Sequence, residues 1–392
     1  MALRFHDQPL TAPSVLRDGT HRAASLDATW RRFSPCMRVA GITRIADLTG
    51  LDTLGIPVFT AIRPMGRSLS TQQGKGLTPD AARVSALMES LETWTAEHLA
   101  LRVVKGSARS LGRRAVDIRR LPRTRARLGR DQVLRWVEGW DLVAQAPVLV
   151  PEQAVTLDTT FRTPPVFDIS SNGLASGNVL VEAIVHGLCE VIERDAEAAW
   201  HRAGGDRRLV LDTITDPACG ALIARITAAG ARVFVWDMGG LIPSIGCAIM
   251  EDPREPAWRT LGYYQGFGAH LAPEVAVARA LTEAAQTRLT YIAGGRDDFF
   301  PFDYARATDP ELLADLWDRL AAPCDEPASF DELADTAAHT RDLGHDLEVL
   351  LARLAEAGYA QVIAVDLTHP DLGVPVVKVL VPGLATDVEA MG

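Results

Sequence analysis

The chain has 392 residues, 47% of them hydrophobic and 23% charged. That is the balance of a soluble folded protein, and it excludes wholesale disorder. Forty Lys and Arg against fifty Asp and Glu leave a formal charge of −10, so a dedicated nucleic-acid binder, which would carry a basic excess, is set aside.

The N-terminus, MALRFHDQPLTAPS, lacks the basic-then-apolar layout of a secretory signal. A first helix is expected near Ser25, then two short β-branched runs, GITRIADLT and PVFTAIRP, as paired strands. Thr78 as N-cap, Pro79 in the first turn and Asp80 beside it predict a helix reaching about His98. Residues 101–135 hold twelve basic residues against Asp117 and Asp131, a local +10 that leaves −20 for the rest. This segment reads as a solvated arginine-rich surface in preference to a docking patch for an acidic partner.

VLRWVEGWDLV and APVLVP are strand-like, and a long helix is expected from Val179 to Arg202. The apolar stretch Ala231–Met250 is interrupted by Asp237, Gly239 and Gly240 and reads as two strands around a turn. No eighteen-residue apolar run exists, so no membrane helix is expected. Pro273–Ala293 is helical, and the acidic region 309–357 is helix-rich, with Gly358 as its stop. Two apolar runs, QVIAVDLT and VPVVKVLVP, close the chain. Alternating helices and strands predict an α/β or α+β protein with a mixed sheet. Five cysteines (Cys36, Cys189, Cys219, Cys247, Cys324) lie far apart without a CxxC pair, which fits a reducing cytoplasm.

A degenerate repeat carries the chemistry. GKGLTPDAARVSALMESLE, ASGNVLVEAIVHGLCEVIE and GFGAHLAPEVAVARALTEAAQ each place an acid seven residues after an alanine and a second polar residue three further on. The pairs are Glu89 and Glu92, Glu190 and Glu193, and Glu283 and Gln286. At about 100° per residue, positions i and i+3 share a helix face, so each pair projects together. One such motif would read as exposed surface. Three at matched positions, inside otherwise apolar helices, favour a carboxylate-lined Mg²⁺–nucleotide site, because buried carboxylates need a positive partner and Mg²⁺ takes oxygen ligands. Glycine-led helix N-termini add amide donors for phosphate oxygens. No G-x-x-x-x-G-K-[ST] run is present, so this is not a P-loop site.

Four ordered blocks resemble the YcaO superfamily: GKGLTPDAARVSALMESLE, SNGLASGNVLVEAIVHGLCEVIERDA, LTEAAQTR and VDLTHPDLGVPVVKVLVPGL. The resemblance runs from about residue 19 to the C-terminus. GTHRAASLDATW and RSLSTQQGKGL are most similar to the branch encoded beside TfuA-like proteins. It implies a fold with mixed or antiparallel sheets and helices that carry the repeated acidic pairs around an ATP site, as one catalytic domain over 71–392 with residues 1–70 integrated into it. It also implies ATP- and Mg²⁺-dependent phosphorylation of a peptide backbone amide oxygen, followed by addition of a nucleophile and loss of phosphate. A Cys, Ser or Thr side chain as nucleophile leads to an azoline, and sulfide to a thioamide.

By the same resemblance Glu89, Glu92, Glu190 and Glu193 are the Mg²⁺–phosphate carboxylates. Asn172 and Ser85 contact nucleotide, while Glu182, Glu283, Gln286 and Arg288 line the pocket. Arg22 and Thr29, seven apart, approach phosphates, with Lys75 and Arg194 as further cations. Glu190, Glu193 and Arg288 are the residues expected to act in catalysis. Cys189 and His186 fall on the helix face of Glu182 and read as a buried thiol and a satisfied imidazole. Azoline-forming members commonly end P-x-P-x-P, whereas this sequence ends VPGLATDVEAMG. No segment is spare for a leader-peptide-binding domain. Both features favour a thioamide-forming enzyme acting on a peptide or protein substrate with a TfuA-like partner. An azoline-forming cyclodehydratase is the runner-up, and a non-catalytic nucleotide- or peptide-binding scaffold the third reading. The family often forms homodimers.

Overall fold

The computed structural model describes residues 3–124, 128–129, 131–160, 165–255, 261–324, 327–333 and 341–385. Three sheet-and-helix units organise these residues. In the first, strands Arg44–Asp47, Val58–Ile62 and Thr71–Lys75 form an antiparallel sheet that leads into the first long helix, Pro79–Glu97. In the third, strands Ala231–Asp237, Ser244–Glu251 and Tyr263–Ala269 do the same before the third long helix, Pro273–Ala293. The middle unit is larger. Its six strands run Val104–Gly106, Leu134–Asp141, Ile363–Asp366, Val376–Leu380 and Leu174–Ser176, with Ala146–Pro151 paired to Leu134–Asp141. The second long helix, Leu180–Ala203, leaves from Leu174–Ser176.

The expected α/β fold with mixed or antiparallel sheets is found, in its antiparallel form. Every ladder in the described sheets is antiparallel, and parallel pairing is confined to isolated bridges such as Ala115↔Leu149. Hairpin-like connections suffice for antiparallel neighbours, whereas parallel ones need crossovers of a dozen residues or more.

Each long helix lies unusually close to the strand before it, and the repeated glycines make that possible. A Cβ on Gly74 would stand 2.0 Å from the Ala86 nitrogen, and one on Gly266 2.1 Å from the Ala284 nitrogen. In the middle unit the small residue sits on the helix instead, where a Cβ at Gly187 would come 2.9 Å from the Gly173 carbonyl. Thr78 caps the first helix by accepting from the Ala81 N–H, with Pro79 in its first turn. Gly204 and Gly294, both left-handed, end the second and third.

The units interlock in a ring. The strand of the first unit packs on the third helix, that of the third on the second helix, and that of the second on the first helix. The acid-bearing faces of the three helices are thereby brought near one another. The arginine-rich segment forms the edge strand Val104–Gly106 of the middle sheet and the short helical turns that follow it. Arg102, Lys105, Arg113, Arg114 and Arg123 are exposed there, while Arg109, Arg119 and Arg135 pair with Asp131, Asp117 and Glu152. Arg125, Arg127 and Arg130 lie outside the described residues.

Candidate functional site

The ring of contacts brings the repeat acids into one cleft, each met by a neighbouring unit. Lys75 at the end of the first strand pairs with Glu283 on the third helix. Ser176 stands close to Glu92 on the first helix and favours its ionised form. The Ala269 N–H donates to Glu193 Oε2 on the second helix at 2.8 Å. Glu190 accepts weakly from the Gly173 N–H at 3.3 Å, and Glu89 is exposed at the mouth. Ser85 stands one helical turn before Glu89 on the same face.

Cations are interleaved with the carboxylates. Arg194 lies 3.4 Å from Glu193, 3.8 Å from Glu283 and 2.7 Å from Glu197. Arg279 reaches to 4.0 Å from Glu193, and its Nε is buried without a hydrogen-bond partner. No three His, Cys, Asp or Glu side chains among the described residues gather closely enough to chelate an ion alone. This dispersed arrangement suits a metal held by one or two carboxylates together with phosphate oxygens and water.

Burial and mutual repulsion set the acids apart from ordinary surface carboxyls. Burial pushes Glu190 up to about 7, against the pull of Arg194. Burial, then Glu89 and Glu190, holds Glu92 well above its usual range, and burial also raises Glu193. Glu283 is the exception: burial would raise it, but Lys75 and Arg194 override that and hold it at about 2. Desolvation raises Glu89 as well, even at the mouth, so the cleft combines one firmly ionised carboxylate with four whose charge is costly until a cation arrives.

The N-terminal segment closes one side. The Ala23 N–H donates to Glu182 Oε2 at 2.9 Å, and Arg22 stands 3.5 Å from the same carboxylate. Thr29 Oγ1 donates to Asn178 Oδ1 at 2.9 Å, and the Asn178 amide in turn donates to Glu182. Asn172 and Lys378 border a small cavity with Asp168 and Ser170. Asn172 Oδ1 is buried there with no partner, an orphaned acceptor of the kind that a ligand's donor would satisfy.

One sequence expectation is placed elsewhere. Arg288 is fully buried on the far side of the third helix, where it forms a bidentate pair with Asp52 at 2.8 and 2.9 Å and meets Glu251 at 2.6 Å. Five residues beyond Glu283 is roughly 140° around the helix, so it cannot share the cleft face. It clamps the first unit to the third. Gln286 borders the cleft, but its amide is committed to the Gln73 carbonyl at 2.9 Å. The thiol of Cys189 is buried and pushed up to about 12 by that burial, an inert environment.

Residues missed from sequence are Asn178, Arg279 and Lys378. Arg279 had a legible signal, since it sits one turn before Glu283 on the same face. Lys378 had none, because a lysine in VPVVKVLVP is indistinguishable from a strand residue facing solvent. A larger cavity of about 590 Å³ opens at the end of the second helix, lined by Trp200, Gly205, Arg207, Asp237, Met238 and Gly239 among others. Phe267 packs with Met238 and lies under Arg194.

Residues 73–385 match the family model described as YcaO cyclodehydratase, ATP- and Mg²⁺-binding. A protein in the tfuA 3′ region of Rhizobium leguminosarum bv. trifolii is 35% identical over 381 residues, covering 94% of this chain and 89% of that one. An uncharacterized protein of Methanothermobacter thermautotrophicus is 36% identical over 382 residues, 93% of this chain and 96% of that one. Among solved structures, YcaO from Methanopyrus kandleri bound with AMPPCP and Mg²⁺ superposes with a TM-score of 0.78 at 28% identity, over 97% of this chain and 96% of that one.

Proposed function

The chain belongs to the YcaO family of ATP- and Mg²⁺-binding proteins, and from that premise we propose that it converts a peptide backbone amide to a thioamide together with a TfuA-like partner. The observation that carries the amide-activating part is the cleft of Glu89, Glu92, Glu190, Glu193 and Glu283 interleaved with Lys75, Arg194 and Arg279. The thioamide and the partner are supported by the likeness to a protein in the tfuA 3′ region. Cyclodehydration to an azoline on the same site is the second reading, favoured by the description of the family model.

Bound ATP with Mg²⁺ supplies a phosphoryl group to the amide oxygen, which is a poor leaving group until it carries phosphate. Glu89, Glu92, Glu190 and Glu193 would hold the metal, and Lys75, Arg194, Arg279 and Arg22 would hold phosphate oxygens. Ser85, Asn172 and Thr29 serve nucleotide positioning, Asn172 through its orphaned carbonyl oxygen and Thr29 by fixing Asn178. Glu182 anchors the N-terminal segment that brings in Arg22. Such fixed charges in a partly enclosed cleft stabilise phosphoryl transfer without reorganising. Sulfide then adds to the activated carbon and phosphate carries the former carbonyl oxygen away. Free cysteines and the absence, among the described residues, of any helix able to cross a membrane accompany a cytoplasmic assignment.

Mass spectrometry of a candidate peptide incubated with enzyme, TfuA-like protein, ATP, Mg²⁺ and sulfide tests this. A gain of about 16 Da marks oxygen-to-sulfur exchange, and a loss of about 18 Da marks cyclisation instead. No change with a folded, ATP-binding protein would point to a scaffold. Glu190→Gln and Glu193→Gln are each expected to abolish ATP consumption while circular dichroism stays unchanged. Undiminished ATP consumption in both variants would refute the metal-site assignment.

A further inference from the structure

His186 lies on the second helix between two arginines from different parts of the chain. Its Nδ1 is 3.3 Å from Arg22 Nη1, and its Nε2 is 3.1 Å from Arg279 Nη1. Burial, with Arg22, Arg279 and Lys75 nearby, holds the imidazole well below its usual range, so the ring is neutral. A neutral imidazole has one acceptor nitrogen and one N–H. Both flanking groups are donors, so only one of the two contacts can be a hydrogen bond. The other guanidinium faces an N–H and is left short of an acceptor.

The remaining surroundings do not make up the deficit. Arg22 has Glu182 at 3.5 Å, a carboxylate that already accepts from the Ala23 N–H and Asn178. Arg279 has Glu193 only at 4.0 Å, and its Nε is buried without a partner. A carboxylate at position 186 would satisfy both guanidinium groups and quench them. An imidazole separates them, orients them and leaves donor capacity on one guanidinium unfilled.

We propose that His186 is a positioning residue, which spaces Arg22 and Arg279 across its ring so that the under-satisfied guanidinium is presented to a phosphate oxyanion. This rests on the reading of the cleft as an ATP site. The anion is a phosphate group, held either within the nucleotide or as the inorganic product.

Calorimetric titration with Mg·AMPPCP and, separately, with inorganic phosphate tests the assignment. His186→Leu is expected to weaken binding of one or both by about tenfold, the scale of a hydrogen bond to a charged group. Whichever ligand loses affinity is the phosphate the pair holds. His186→Gln, which keeps one donor and one acceptor, is expected to restore most of it. In a double-mutant cycle the His186→Leu effect should vanish when Arg22→Ala and Arg279→Ala are already present. A merely structural histidine would cost the same in either background. Should the Leu variant lose its fold, His186→Ala replaces it in the same cycle. Wild-type affinity for both ligands in a folded variant, or an undiminished effect without the arginines, overturns the proposal. Failure of the wild-type protein to bind Mg·AMPPCP at all would instead overturn the ATP reading beneath it.

Discussion

Lys378 shows what a single buried charge does in this cleft. It is 3% exposed, donates to the Ser170 carbonyl at 2.6 Å, and is drawn down to about 8 by burial, against the opposing pull of Glu190 and Asp168. In the unfolded chain the same lysine titrates near 10.5. Below pH 8 both states are charged and the folded protein bears the whole cost of burial. Between pH 8 and 10.5 the unfolded state binds more protons, so the stability contributed at this position rises with pH. Lys378→Met should therefore be more stable than wild type at pH 7.5, relative to their difference at pH 10, by up to about 3 kcal/mol. Urea denaturation at the two pH values checks this. A difference that does not change with pH would show that Lys378 titrates normally.

Among the elements, the strand–helix contacts at Gly74 and Gly266 decide whether the acids meet. In each case the obstruction to a side chain is helix backbone, at 2.0 and 2.1 Å, which cannot swing away as a flexible side chain can. Gly74→Ala or Gly266→Ala must push the helix off its strand. Each is expected to lower unfolding free energy by about 3 kcal/mol or more and to weaken Mg·AMPPCP binding, because Glu89, Glu92 and Glu283 move with their helices. Gly220→Ala is the control. It lies inside the helix Pro217–Ala228 with nothing within 4 Å of the added Cβ, so it should stabilise by about 0.5–1 kcal/mol. Thermal melts of the three variants separate steric obstruction from a general intolerance of glycine replacement.

At the scale of the whole molecule, the cleft exists only because three units close on one another. Lys75 with Glu283, Ser176 with Glu92 and Ala269 with Glu193 each cross a boundary between units. A ligand that fills the cleft therefore binds the assembled ring and not its parts. At about one hundred times its dissociation constant, Mg·AMPPCP should add about 2.7 kcal/mol to unfolding free energy, with a melting temperature that climbs with ligand concentration. Glu193→Gln should lose that increment while keeping its ligand-free melting temperature within a few degrees. A wild-type melt that is independent of nucleotide would refute the shared site. Arg288 belongs to this scale as well, since its pairing with Asp52 and Glu251 ties the first unit to the third instead of touching nucleotide.

Much of this was legible in the chain itself. Helical pitch alone put Glu89 beside Glu92 and Glu190 beside Glu193, and the repeated glycine, alanine and acid marked the three long helices. The caps at Thr78 and the stop at Gly358, whose φ is +88°, are local chemistry that needs no distant partner. Which faces meet is a different matter. Arg288 and Glu283 are five residues apart and similar in sequence context, yet one clamps two units and the other lines the cleft. Arg22 and Arg279 are 257 positions apart in the numbering and converge on one imidazole. Periodicity fixes angles within a helix, but the packing of one unit on the next sets the desolvation and charge pairing that separate a site residue from a structural one.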